Sequence, residues 1–298
     1  IDVADFDFDT FVNQLFNTSS LNEENAFVQI WFEYRDEFSR WLLKTYFVWK
    51  TDERNYLIRA LENVASLGSS DLFSQIATQI FEEPLDETSI SQRLALLREA
   101  KRQHVQITSL AEQKVKAKLS AMAADPERGP LFAMKYMSPL TLSEQCLMAE
   151  WVGQGRIEKD YIKILFPELY AYLLPSSVQT EKDNGWINEY FQEYCLSKVR
   201  NSQTENLVNK LKELNDSQVS FETWRNGFKT VKTFMHNRQD IDIYYWIDGL
   251  GVDWIPFITQ VIEKHKADGV FLNEIYVAAS ELPTVTSVNK TKLDETTC

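Results

Sequence analysis

The stretch IDIYYWIDGLG, residues 241–251, decides the predicted fold class of the C-terminal part of the chain. Its apolar run ends on Asp248, and Gly249-Leu250-Gly251 then predicts a turn. An amphipathic segment follows and stops at Gly269, with these apolar residues at helical spacing: Trp254, Phe257, Ile258, Val261 and Ile262. A second apolar run covers residues 270–279. The order strand, helix, strand predicts a βαβ unit with a parallel strand pair.

Asp248 is the first candidate for chemistry, because it falls just past the carboxyl end of a predicted strand. Open α/β sheets place ligands along that edge. A carboxylate at the end of a buried run is costly unless it is paired, hydrogen-bonded or bound to a metal. The alternative is a cap residue before the Gly249 turn. A dinucleotide site is excluded, because the third glycine of its fingerprint would fall on Trp254.

A cluster of hydroxyl residues after Pro283 is the second candidate, and Thr286 lies within it. One interpretation is the capped start of a helix, a place that Ser, Thr and Asn favour. The other is a nucleophile, since a hydroxyl at a helix N-terminus beside a divalent metal has a lowered pKa and can attack phosphorus. The spacing alone leaves both interpretations open.

Together these residues resemble the start of an alkaline-phosphatase-superfamily domain. The shared features are strand-Asp-Gly, a helix, a second strand and then Pro-Thr-x-Thr-x-x-Asn from Pro283 to Asn289. The amino-acid sequence of residues 246–251 and 281–290 is most similar to that of PglZ proteins, which belong to the bacterial phage-defence systems called BREX. The resemblance covers about fifty residues, and a large helical region ahead of the domain also fits that family.

The resemblance implies a metal-dependent phosphohydrolase with two zinc-type ions. Carried over by position, Asp248 is a metal ligand, Thr286 is nucleophile and ligand, and Asn289 supports the turn or donates to an oxygen. The superfamily's remaining Asp and His ligands lie downstream of the nucleophile, and no histidine follows His265. We therefore expect the chain to be a truncated piece of a longer protein, inactive by itself and weak in metal binding.

Composition sets the class of the whole chain. Its 298 residues suffice for two or three domains, and the net charge of −13 argues against a wholly basic nucleic-acid surface. Three widely separated cysteines favour a reducing, cytoplasmic compartment. No apolar run approaches the roughly 20 residues of a membrane helix, so no membrane partner is expected.

Residues 1–238 predict an all-α region, because Gly and Pro are scarce and helical periodicity persists. Capping-box patterns at Ser20, Ser89 and Thr141 predict helix starts, the first two opening long helices over about 22–50 and 89–123. Phe38 and Trp41 belong to an aromatic stripe interpreted as core, and the alternative interpretation is a platform on which bases stack. The predicted domains are helical residues 1–124, a Pro-containing connector 125–140, helical residues 141–238, and the truncated PglZ-like α/β domain 239–298.

A basic segment, residues 93–118, leaves two interpretations open. It is the solvated face of a helix, or it binds phosphate backbones or a partner protein through Arg98, Lys101 and Arg102. The second of these makes nucleic acid a candidate ligand. A further hypothesis treats the whole region as an interaction scaffold for other proteins of a phage-defence complex, with a degenerate phosphatase site.

Overall fold

A computed structural model describes most of the chain. The described residues are 7–19, 21, 23–50, 55–81, 86–176, 178, 186–216, 225–231, 233, 243, 245, 247 and 250–280. In these residues the structure is mainly helical, with thirteen α-helices, three short 3-10 helices and no strand. The chain forms two compact units, Ile1–Trp151 and Val152–Cys298.

The first unit contains nine of these helices, the last of which runs two residues past its end. They are α1 (Phe8–Leu15), α2 (Glu24–Glu33), α3 (Glu37–Lys50), α4 (Tyr56–Glu62), α5 (Ser69–Gln79), α6 (Glu87–Arg102), α7 (Ser109–Ala123), α8 (Gly129–Met134) and α9 (Leu142–Gly153). Helix α5 packs against α4, α6 and α7. The core between α2 and α3 is aromatic, with the ring of Phe27 centred 5.7 Å from Trp31 and 4.6 Å from Phe47.

Both long helices predicted in this unit are interrupted. The first is divided into α2 and α3 at Tyr34, whose backbone is extended with φ −94° and ψ 112°. Arg40 donates to the carbonyl oxygens of Trp31 and Tyr34, at 3.3 and 3.0 Å, near the end of α2. Such donors satisfy carbonyls that a helix end leaves without a partner. The second is divided into α6 and α7 after His104, whose φ of 57° is left-handed. Its predicted start at Ser89 is also wrong, since the Asp86 carboxylate accepts from the Ser89 N–H at 2.7 Å and caps α6.

The helix start predicted from the capping-box pattern at Thr141 is confirmed, since α9 begins at Leu142. The Glu144 N–H donates to the Thr141 hydroxyl at 3.3 Å, and that hydroxyl donates to the Glu144 carboxylate at 2.5 Å. Ser20 lies outside the described residues.

Residues 125–140, predicted as a connector, lie within the first unit. The Asp125 carboxylate accepts from the N–H groups of Glu127 and Arg128, and α8 follows. Met137 and Ser138 are buried just before α9. The chain divides later, between Trp151 and Val152.

The aromatic stripe of α3 is predicted to be core, but part of it is exposed to solvent. Leu43, Tyr46 and Phe47 are buried on one side of the helix. Phe38, Trp41 and Trp49 are 63, 52 and 55% exposed, and Val48 is 38% exposed. Phe38, Trp41, Val48 and Trp49 occupy positions i, i+3, i+10 and i+11, which lie on a single face of a helix with 3.6 residues per turn. The buried side of α3 already fills the space against α1, α2 and α4, so this second face remains open.

The second unit contains α10 (Pro167–Tyr172), α11 (Trp186–Arg200), α12 (Glu205–Asp216) and α13 (Ile255–Lys264). Helix α13 packs on α10, and α12 packs on α11. The helix predicted between the two apolar runs is confirmed as α13. It is followed by a short 3-10 turn that ends at Gly269 with φ 84°, a conformation that glycine adopts without the steric penalty of a Cβ atom.

The βαβ unit is not shown in the described residues. Ile243, Tyr245 and Ile247 are 63, 86 and 63% exposed, whereas the sequence predicted a strand buried on both faces. In residues 270–280 the structure has a single parallel bridge with a described partner, in which the Ala279 N–H donates to the Lys229 carbonyl at 2.9 Å beside Thr230.

Candidate functional site

The three residues that the resemblance assigns to the site, Asp248, Thr286 and Asn289, lie outside the described residues. The described chain resumes two residues after Asp248, at Leu250, and forms a 3-10 turn over Val252–Trp254. This turn is therefore the described helical element nearest in sequence to Asp248, the first predicted ligand.

Asp253 anchors that turn. Its side chain is 6% exposed, and its Oδ2 accepts from the Lys198 ammonium at 3.0 Å and from the Tyr172 hydroxyl at 3.2 Å. Its backbone carbonyl accepts from the Cys195 thiol at 3.4 Å. A Cβ atom added at Gly251 would lie 2.5 Å from the Asp253 Oδ1, so only glycine fits there with this carboxylate in place. The turn is thus held by α10 and α11 together.

The ionisation of this cluster indicates a structural role. The hydrogen bond to Asp253 raises the pKa of Lys198, so its ammonium stays charged. Burial raises the pKa of the Cys195 thiol, so the thiolate that a nucleophile requires is disfavoured. Burial also raises the pKa of the Tyr172 phenol, with the neighbouring Cys195 and Asp253 contributing. The arrangement orders a turn and supplies no activated nucleophile.

A second buried polar cluster lies in the first unit and contains Arg93, so one cation of the predicted basic segment is not exposed at the surface. Arg93 and Glu144 are 1 and 0% exposed and form a two-pronged ion pair at 3.0 and 3.2 Å. Arg93 also donates to the Ala77 carbonyl at 2.8 Å, and Glu144 accepts from the Ser138 N–H at 2.8 Å. Burial lowers the pKa of the Arg93 guanidinium, but the negative charge of the Glu144 carboxylate outweighs the effect of burial, so the pKa of Arg93 is raised. Sequence analysis missed this pair. The capping box at Thr141 was the available signal, since it places Glu144 at a helix start.

The predicted patch of Arg98, Lys101 and Arg102 lies exposed on α6. Arg102, whose side chain is 61% exposed, donates to both carboxylate oxygens of Glu99 at 2.7 and 2.9 Å. The hydrogen bonds from Arg102 lower the pKa of Glu99. One of the three cations of the predicted patch is therefore already paired with a carboxylate of its own helix.

Beside Arg102 is an open groove of about 540 Å³. The residues that line it are Gln29, Phe32, Glu33, Arg35, Arg102 and Gln103. The lining is polar and includes a carboxylate as well as two arginines. It therefore favours the solvated-face interpretation over a continuous track for a phosphate backbone, which requires clustered positive charge.

In the described residues, no group of three or more His, Cys, Asp or Glu side chains lies together as a metal site would require. The ligands that the resemblance implies are outside this part of the chain. No helix among the described residues is long and apolar enough to cross a membrane. Comparison of the chain with family models, characterised proteins and solved structures finds no match.

Proposed function

We propose that the chain is the N-terminal and central part of a PglZ-like, metal-dependent phosphohydrolase that acts with other proteins of a bacterial antiphage complex in the cytoplasm. One observation carries the proposal, namely the order and spacing of two motifs around a helix. Asp248-Gly249 follows an apolar run, α13 comes next, and Pro283-Thr284-Val285-Thr286 follows a second apolar run. The formation of α13 and the end of the following 3-10 turn at Gly269 support that order.

In this proposal Asp248 holds one divalent ion of the zinc type, and Thr286 supplies the hydroxyl that attacks phosphorus. When bound, two such ions supply charge that stabilises a phosphoryl oxygen and lowers the pKa of the attacking hydroxyl. Asn289 supports the turn or donates to an oxygen. The further Asp and His ligands are expected beyond Cys298, so the test uses the intact parent protein.

The test measures metal content and turnover separately, with a generic aryl phosphodiester as substrate. We expect Thr286→Ala to abolish turnover and leave the fold intact, and Thr286→Ser to keep part of the activity because it keeps a hydroxyl. Asp248→Ala should lower zinc occupancy, whereas Asp248→Glu should retain more metal. Full turnover by the Thr286→Ala protein would show that Thr286 is only a capping residue.

A helical interaction scaffold with a degenerate site is the second candidate. The observation that favours it is the open face of α3, where Phe38, Trp41 and Trp49 are more than half exposed. Exposed apolar patches of this kind mark sites of protein association. The residues that follow Cys298 in the parent discriminate the candidates, because an Asp-x-x-x-His or Asp-His pair favours the enzyme and its absence favours the scaffold.

A further inference from the structure

The groove beside Arg102 is a described feature that neither proposed function uses. Its volume of about 540 Å³ lies within the range of about 300–1,000 Å³ that is usual for small-molecule sites. One face of α2 supplies three of its lining residues, at positions i, i+3 and i+4: Gln29, Phe32 and Glu33. Arg35 lies just beyond α2, and Arg102 and Gln103 lie at the end of α6. Because α2 packs on α6, these side chains meet at one place.

The aromatic ring of Phe32 is the one apolar side chain in this lining. It lies nearly parallel to the buried ring of Phe73, with the ring centroids 5.1 Å apart and the planes at 11°. Phe73 thus holds the ring of Phe32 in place, and Phe32 itself is partly exposed. A fixed, partly exposed ring is a platform on which a nucleobase stacks, and every base has the flat face that such stacking needs.

The arginines beside this ring favour a ligand that carries a phosphate. Arg35 is exposed and has no carboxylate partner among the described residues, so its guanidinium can donate two parallel N–H bonds to one phosphate. Arg102 donates to Glu99 through Nε and Nη2, which leaves its Nη1 for a further acceptor. Burial and the nearby charge of Arg35 lower the pKa of Arg40, and a bound anion offsets this repulsion between cations.

The remaining polar side chains of the groove disfavour a bare inorganic anion. The exposed carboxylate of Glu33 repels a phosphate ion but accepts hydrogen bonds from the hydroxyl groups of a ribose. Gln29 and Gln103 carry amides, which have both donors and acceptors and so match the edge of a base. The Gln103 amide is oriented by its bond to Glu99, at 2.9 Å. The lining therefore combines a stacking ring, phosphate donors and a hydroxyl acceptor.

We propose that this groove binds a free nucleoside monophosphate, with its base stacked on Phe32, its phosphate on Arg35 and Arg102, and its ribose hydroxyl groups on Glu33. The groove is open, so part of the ligand keeps its contact with water and the dissociation constant is about 10–300 μM. The terminal nucleotide of a single strand has the same chemistry, and the experiment separates it from the free nucleotide. The inference does not depend on the phosphohydrolase proposal.

Isothermal titration calorimetry of the whole chain tests the inference with three probes: adenosine monophosphate, adenosine and ribose phosphate. We expect the complete nucleotide to bind with one site per chain. Adenosine lacks the phosphate and ribose phosphate lacks the base, so each should bind at least tenfold more weakly. Chromatography of the nucleotide after titration checks that it is intact, and turnover of the aryl phosphodiester by the parent reports on the phosphohydrolase proposal separately.

Variants assign the two ends of the ligand. Arg35→Gln should weaken binding of adenosine monophosphate at least tenfold and leave the weaker binding of adenosine unchanged, which a loss of folding would not do. Arg98→Gln is the matched control, because Arg98 is an exposed arginine of α6 outside the lining, and it should change the constant less than twofold. Phe32→Leu should weaken both ligands by a similar factor of at least five. Circular dichroism checks that each variant is folded.

Four outcomes overturn the inference. The first is no binding of adenosine monophosphate at about 1 mM. The second is binding of ribose phosphate as tight as that of the nucleotide, which would show a general anion site. The third is an equal effect of Arg35→Gln and Arg98→Gln. The fourth is binding of a single-stranded oligoadenylate by a chain that does not bind the mononucleotide, which would assign the groove to strand ends.

Discussion

Removing Glu144 tests the buried ion pair directly. In Glu144→Ala the Arg93 guanidinium, 1% exposed, keeps its charge and loses the carboxylate at 3.0 and 3.2 Å. Breaking a buried pair from one side costs about 3–5 kcal/mol. The Ser138 N–H, which donates to Glu144 at 2.8 Å, loses its acceptor as well, at about 1–3 kcal/mol. Because the two costs overlap, we expect a total of about 4–6 kcal/mol, a large part of a domain's stability.

The matched control is Arg93→Met combined with Glu144→Leu, which replaces the pair by apolar side chains of similar size. It removes both charges but leaves the Ser138 N–H and the Ala77 carbonyl without these partners. We expect this double variant to lose about 2–3 kcal/mol, less than either single substitution. The thermodynamic cycle of this double variant with its own single variants, Arg93→Met and Glu144→Leu, should then give a coupling free energy of at least about 2 kcal/mol.

Hydrogen exchange at increasing urea, read on peptides from α6 and α9, measures the opening free energy of the first unit without averaging over both units. A loss of less than about 1 kcal/mol in Glu144→Ala would refute the assignment. Additive losses in the double variant would show that the two side chains are not energetically coupled.

Three further outcomes are expected. Lys198 has a raised pKa, so its ion pair with Asp253 stabilises the fold fully below the ordinary lysine pKa of 10.5, and this stabilisation is lost as pH rises through the folded-state pKa. Hydrogen exchange of the 252–254 amides should accelerate at that pH. Lys198→Met should abolish this pH-dependent acceleration. Alkylation followed by peptide mass analysis should label exposed Cys146 before buried Cys195, and equal rates would contradict the burial. Gly269→Ala should destabilise the turn after α13 by about 1–2 kcal/mol, because φ is 84°, and Gly269→Asn should cost less; equal melting temperatures would argue against the left-handed turn.

The sequence by itself determined the helical class and several helix boundaries. These signals are local. A hydroxyl and a carboxylate three residues apart at Thr141 and Glu144 mark the start of a helix by their spacing alone, and Gly269 ends its turn through its own φ. Asp248 and Thr286 come from an equally local comparison of motifs and stay predictions, because they lie outside the described residues.

Tertiary structure decided which polar groups are buried and which apolar groups are not. Arg93 belonged by sequence to a basic segment, but its partner Glu144 is 51 residues away and comes into contact only when α6 and α9 pack. The exposed face of α3, with Phe38, Trp41 and Trp49, has the same apolar periodicity as a core face, but only the opposite side of the helix packs against its neighbours. Periodicity reports that a face is apolar, and the packing of the other helices decides whether that face is covered.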